Sequence, residues 1–207
     1  MRTATLTLLF LLSFICSSFA AWDKPAVRLT GMYRYDLRQD NHDLWITRAS
    51  LALTYKNIAD DPLFKIIPFF EARRNIHKHI WERKEAGVEI GKDIFPWFYL
   101  GSAIEQVWMN EDYQYYRRYE KRQYTACEPR LLFSHNILNT KFLTLKGFIL
   151  DEYTYDFNKA RGTCNEVAIG VIIPVTKYLE SQVNWRHIDR IHYYDSDTVE
   201  GSVTLVF

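Results

Sequence analysis

The side chains able to do chemistry fall into a few clusters along the chain. His77 and His79 stand two apart, so on a strand they would share a face and could contribute to a metal site. Neither a cysteine nor a third histidine is near them in sequence, and a solvated loop explains the pair with fewer assumptions. Asp40, His42 and Asp43, together with Asp189, His192, Asp195 and Asp197, are a second set. Acid–imidazole pairs can activate water, but general-base geometry needs a third dimension that spacing does not supply. Ser134-His135 has the residue types of nucleophilic catalysis without an identified partner. Tyr113 to Tyr124 (YQYYRRYEKRQY) interleaves Arg117, Arg118, Lys121 and Arg122 with tyrosine, a composition suited to phosphate groups such as those of lipopolysaccharide. No set meets the spacing of a catalytic, metal or cofactor motif, and none is assigned here.

The elements that must position these residues are strands. From Val27, the residues Val27, Leu29, Gly31, Tyr33, Tyr35 and Leu37 share one face, and Arg28, Thr30, Met32, Arg34, Asp36 and Arg38 share the other. The same period recurs in about nine further segments: 44–56, 63–73, 80–91, 97–109, 122–133, 141–155, 164–173, 178–186 and the terminal stretch from Gly201. Pro68 breaks the third and marks a bulge, and Pro129 is a blemish in the sixth. Ten strands satisfy the even count of single-chain bacterial barrels. The connections after Lys56, Lys92, Ile137 and Pro174 read as short turns. Those between them read as longer loops, including 38–43, 74–79, 110–121, 156–163 and 187–198. Short periplasmic turns alternating with longer outer loops give that pattern, and Ser134-His135 would sit at a periplasmic turn.

Whole-chain numbers restrict the alternatives. Basic and acidic residues nearly cancel, 26 against 25, so bulk attraction to nucleic acid is not indicated. Fourteen tyrosines and six tryptophans need interfaces to occupy. Met1 to Ala20 reads as a secretory signal: Arg2, the apolar run Leu6 to Cys16, then Ser18-Phe19-Ala20. Residues 21–207 form the barrel domain. No later stretch has the roughly 20 apolar residues of a spanning helix.

Alternation alone does not say which face looks outward, since a lipocalin-like barrel has the same period reversed. Three features favour lipid outside. Arg34, Arg48, Arg83, Glu85, Glu105, Glu128, Arg130 and Arg186 lie on the polar face with signs roughly balanced, as an inward face that pairs its charges requires; Glu71, Arg73 and Glu152 share that face. Trp45, Trp81, Trp97 and Trp108 fall near strand ends, as membrane interfaces select. Val203, Leu205 and Phe207 make an alternating terminal strand ending on an aromatic residue, resembling the signal read by the outer-membrane assembly machinery.

From about Trp81 to Phe207, the stretches WERKEAGVEIGKDIFPWFYLG, ILDEYTYDF and NEVAIGVIIPVTKYLESQVNW resemble the small Gram-negative outer-membrane barrels of domain of unknown function twenty-four ninety. The resemblance implies a barrel in the bacterial outer membrane. The expectation is therefore an all-β, antiparallel, up-and-down transmembrane β-barrel of about ten strands, touching outer-membrane lipid and lipopolysaccharide. It is read as a non-catalytic envelope component with a lumen plugged by side chains. A narrow pore is the second reading and a rim-active hydrolase the third. Cys127 and Cys164, with the seventh strand between them, would stand two strand spacings apart, beyond disulfide reach.

Overall fold

Period-two alternation becomes ten antiparallel strands in the computed structural model, which describes residues 22–38, 42–56, 62–110, 123–140, 143–191 and 195–207. The signal segment, Asp40, His192 and most of the Tyr113–Tyr124 stretch lie outside the described residues. The strands are β1 (Ala26–Asp36), β2 (Leu44–Lys56), β3 (Pro62–Asn75), β4 (Ile80–Phe95), β5 (Phe98–Met109), β6 (Gln123–Asn139), β7 (Thr144–Asp156), β8 (Arg161–Thr176), β9 (Leu179–Arg190) and β10 (Ser196–Val206). Each pairs with its sequence neighbours, and β1 pairs with β10 to close the barrel. At the seam, Leu29 faces Leu205 and Gly31 faces Val203. Val27 and Phe207 exchange backbone bonds of 3.1 and 2.9 Å. Closure removes the free edge, and every strand finds its hydrogen bonds within the wall, which hydrocarbon demands.

Consecutive residues settle which face is outside. Ile104 is 60% exposed and its neighbour Glu105 is 1% exposed. Leu29, Ile90, Ile149, Ile169, Val183 and Val203 look outward, whereas Arg34, Glu71, Glu85, Glu152, Arg186 and Glu200 are buried inside. A water-soluble barrel has the opposite arrangement, so this wall is built for lipid. Trp45, Trp81, Trp108 and Trp185 are exposed toward the end far from the termini. At the termini end, Trp97 stacks on Phe95 (centroids 5.1 Å apart), and Tyr55 stacks on Phe64 (5.1 Å) with Trp22 against both. Rings at both rims of an apolar band form the two girdles of a membrane barrel.

Several boundaries differ from the sequence-based expectation. The connections at 76–79 and 157–160 are tight turns rather than long loops, and β9 and β10 extend to leave only 191–195 between them. Two of the far-end hairpins are thus as short as the turns at the other end. Ladder hydrogen bonds continue past the apolar band, where alternation fades, so Arg161 and Gly162 still pair with Asp156 and Tyr155. For the same reason β6 runs through Ser134 and His135, which pair with Phe148 and Gly147 and are not in a turn. Pro68 marks no bulge. Pairing to β2 lapses between Ser50–Phe69 and Leu53–Ile66 and resumes in the same register, because proline removes one donor without adding a residue. The bulge of β3 and β4 is at Arg73/Arg74.

Cys127 pairs with the outward Ile104, and Cys164 with the inward, buried Thr154. The two free thiols are therefore on opposite sides of the wall as well as two strands apart.

The two tight far-end turns share one design. The Asn75 side chain accepts the Lys78 amide at 2.9 Å, and that of Asp156 accepts the Asn158 and Lys159 amides at 2.8 and 3.2 Å. Each turn ends on a left-handed residue that is not glycine, His79 (φ 55) and Ala160 (φ 51). An L-residue there costs on the order of 1–2 kcal/mol. Ala160→Gly is therefore expected to stabilise the barrel by about 1 kcal/mol after glycine's greater unfolded-state entropy is counted. Urea unfolding midpoints in lipid vesicles measure this.

Candidate functional site: the charged lumen

Inward positions on nearly every strand carry Arg or Glu, and the barrel is narrow enough for them to reach one another across it. Beginning at β1, Arg34 Nε donates to Glu200 at 2.5 Å. Glu200 also takes Arg186 Nε at 3.3 Å, and Arg186 Nη1 lies 2.8 Å from Glu152 and 2.6 Å from Glu166. Arg130 Nε donates to Glu152 at 2.5 Å, and its Nη1 to Glu89 at 2.9 Å. Glu89 faces Arg48 at 3.7 Å, and Arg48 faces Glu71 at 3.5 Å. Arg73 joins Glu71 (2.8 Å) to Glu85 (3.3 Å). Arg83 joins Glu85 (2.5 Å) to Glu105 (2.9 Å), with Glu128 at 3.8 Å. Thr154 Oγ1 donates to Glu128 at 3.1 Å. The contacts form one unbroken series through the lumen, in which carboxylates outnumber guanidinium groups.

The structure brings together all eight inward charges singled out from the sequence: Arg34, Arg48, Arg83, Glu85, Glu105, Glu128, Arg130 and Arg186. It adds Glu89, Glu166 and Glu200 as links. Glu200 was hidden because 187–198 reads as a loop, so β10 seemed to start later. Strand parity from Gly201 would have placed Glu200 inward. Tyr99 is another unforeseen member: its hydroxyl donates to Glu89 at 2.6 Å, and its ring lies across Gly91 and Gly101. A Cβ on Gly91 would come within 2.0 Å of that hydroxyl, so the contact requires glycine there.

The interior differs on the two sides of this belt. Toward the far end Asn75, Val107, Ala126, Asp156, Ile188 and Ser196 are almost fully buried. His42, from the connection after β1, reaches over this end with Nδ1 3.2 Å from Asp36 and Nε2 3.2 Å from Glu82 on β4. Burial alone would lower the imidazole pKa, but the hydrogen bonds the ring donates to Asp36 and Glu82 outweigh it and raise the pKa above the ordinary 6.5. A cavity of about 590 Å³ opens at the termini end and reaches in among the belt residues, where Arg34, Glu128, Glu152, Glu166 and Arg186 line it. Arg28 and the Lys65–Asp93 pair (2.6 Å) are at its mouth.

The other candidates resolve differently. His77 pairs with Asp43 at 2.9 Å, and His79 closes the turn, so the two do not share a strand face. Tyr33 donates to the same Asp43 oxygen at 2.9 Å. Asp197 is held by His187 (2.8 Å) and by Arg38. Among the described residues, no group of three or more His, Cys, Asp or Glu side chains is arranged to hold a metal ion.

No family model matches the chain, and no curated protein does either. Solved structures do. A KdgM porin aligns at a TM-score of 0.41 and 9% identity over 88% of this chain and 99% of its own. A NanC porin aligns at 0.43 and 11% identity, covering 86% and 98% respectively. The N-terminal β-barrel domain of Pseudomonas aeruginosa OprF aligns at 0.33 and 9% identity, covering 88% and 97%.

Two tests follow from the network. A buried pair gains little over an apolar replacement, but removing one partner strands the other and costs about 3–5 kcal/mol. Arg186→Ala would leave Glu152, Glu166 and Glu200 without their shared cation, and a loss of about that size is expected. Arg48 has longer contacts and is 24% exposed, so Arg48→Ala should cost at most about half as much. Urea unfolding of both variants in the same vesicles checks the ranking. The second test uses His42. Its folded pKa is raised, so its stabilisation is fully present below about pH 6.5 and is lost as pH rises through the higher folded value. His42→Gln should remove that loss, giving a flatter profile of unfolding midpoint against pH above 6.5.

Proposed function

We propose that this transmembrane barrel resides in the bacterial outer membrane as a non-catalytic envelope component whose lumen is plugged by its own side chains. The observation that carries the reading is the continuous Arg–Glu series, backed by the closely buried far end. An ion crossing the lumen would have to break several buried pairs, each worth several kcal/mol once one partner is left alone. The resemblance to domain of unknown function twenty-four ninety agrees with this placement. In this reading the lipid-facing wall contacts outer-membrane lipid and lipopolysaccharide. Val203, Leu205 and Phe207 present the strand that the assembly machinery takes up. The termini end is then periplasmic, and His42 caps the outer end.

A narrow pore is the second reading, favoured by the cavity that opens at the termini end and reaches in among the belt residues. Purified protein in a planar bilayer separates the two. No steady conductance is expected at neutral pH. Reproducible, ion-selective steps would replace the plugged-barrel reading with the pore.

A further inference from the structure

The cavity at the termini end has two unlike walls. Ile67, Leu132 and Leu150 supply an apolar side, with Leu132 and Leu150 paired across β6 and β7. Thr30, Ser50, Gln182, Ser202 and Thr204 supply a hydroxyl- and amide-rich side on β1, β2, β9 and β10. Arg48 lies where these walls meet the charged belt. Its guanidinium stacks over the Phe69 ring at 4.1 Å. Its nearest carboxylate contact is 3.5 Å, whereas each of the other arginines of the series has at least one contact of 2.9 Å or less. About a quarter of its side chain is exposed, and it lines the cavity. Arg28, exposed at the mouth, has no side-chain partner among the described residues.

The geometry points to a binding site for a small amphipathic carboxylate, entering from the termini end, with its anionic head on Arg48 and its hydrocarbon flank on Ile67, Leu132 and Leu150. About 590 Å³ is within the range of small-molecule pockets, which combine apolar walls with a few placed polar groups. A planar carboxylate matches the fork of guanidinium donors, and the stacked Phe69 holds that fork in place. A purely apolar ligand would leave the hydroxyl wall without hydrogen bonds. The site does not depend on whether the lumen conducts.

The test uses naphthalene-2-carboxylate as the probe. It is titrated calorimetrically into the full-length mature protein in lipid nanodiscs, with empty nanodiscs subtracted. Saturable binding at one site is expected, weakened at least tenfold for the uncharged naphthalene-2-carboxamide and at least tenfold by Arg48→Ala. Leu132→Trp, which fills the apolar side and leaves every Arg and Glu of the belt in place, should abolish binding. It keeps the test decisive if the Arg48 variant does not fold. No heat beyond that of empty nanodiscs, equal affinity for acid and amide, or undiminished binding by folded Leu132→Trp would overturn the site.

Discussion

Charges buried in a narrow lumen must be paired, and much of the rest of the structure follows from that constraint. The wall is one residue thick, so every residue that turns an apolar side chain to lipid is followed by one turned inward. In this chain many of those inward residues are Arg or Glu. Isolated, each would cost several kcal/mol. Linked, they hold β1 to β9 and β10 through Glu200, β6 to β7 through Glu152, and β2 to β3 through Glu71. The pairs do not make the barrel more stable than an apolar filling would. They restrict register, because a one-residue slip would place a guanidinium in lipid and an isoleucine among carboxylates.

The belt also divides the interior. Beyond it, Ala126, Val107, Ile188, Asn75, Asp156 and Ser196 are almost fully buried, and the connection after β1 brings His42 within reach of Glu82 on β4. On the other side, apolar and hydroxyl residues leave a space open to the termini end. Arg48 belongs to both regions: it is part of the series, 3.5 Å from Glu71 and 3.7 Å from Glu89, and its guanidinium stacks on Phe69. A rigid barrel thus presents an unevenly satisfied cation to a cavity, the kind of position where ligand recognition and stability compete for the same side chain.

Alternation of side chains determined the architecture from the sequence alone. Val27 to Leu37, with one face apolar and the other mostly polar, already implied a strand with two unlike faces, and repetition of that pattern implied a barrel of about ten. Parity also named the inward charges, since a residue's face follows from counting along a strand. Counting failed where the alternation faded: Glu200 fell just ahead of the terminal strand read from Gly201, and Ser134 and His135 in an apparent turn. Only the tertiary structure decided which Glu meets which Arg, that His42 crosses to Glu82, and that one half of the lumen closes while the other stays open. Those outcomes depend on strand stagger and barrel diameter, which bring together residues more than a hundred positions apart, such as Arg34 and Glu200. A period of two records the face on which a side chain lies; its height and partner across the lumen are set by closure.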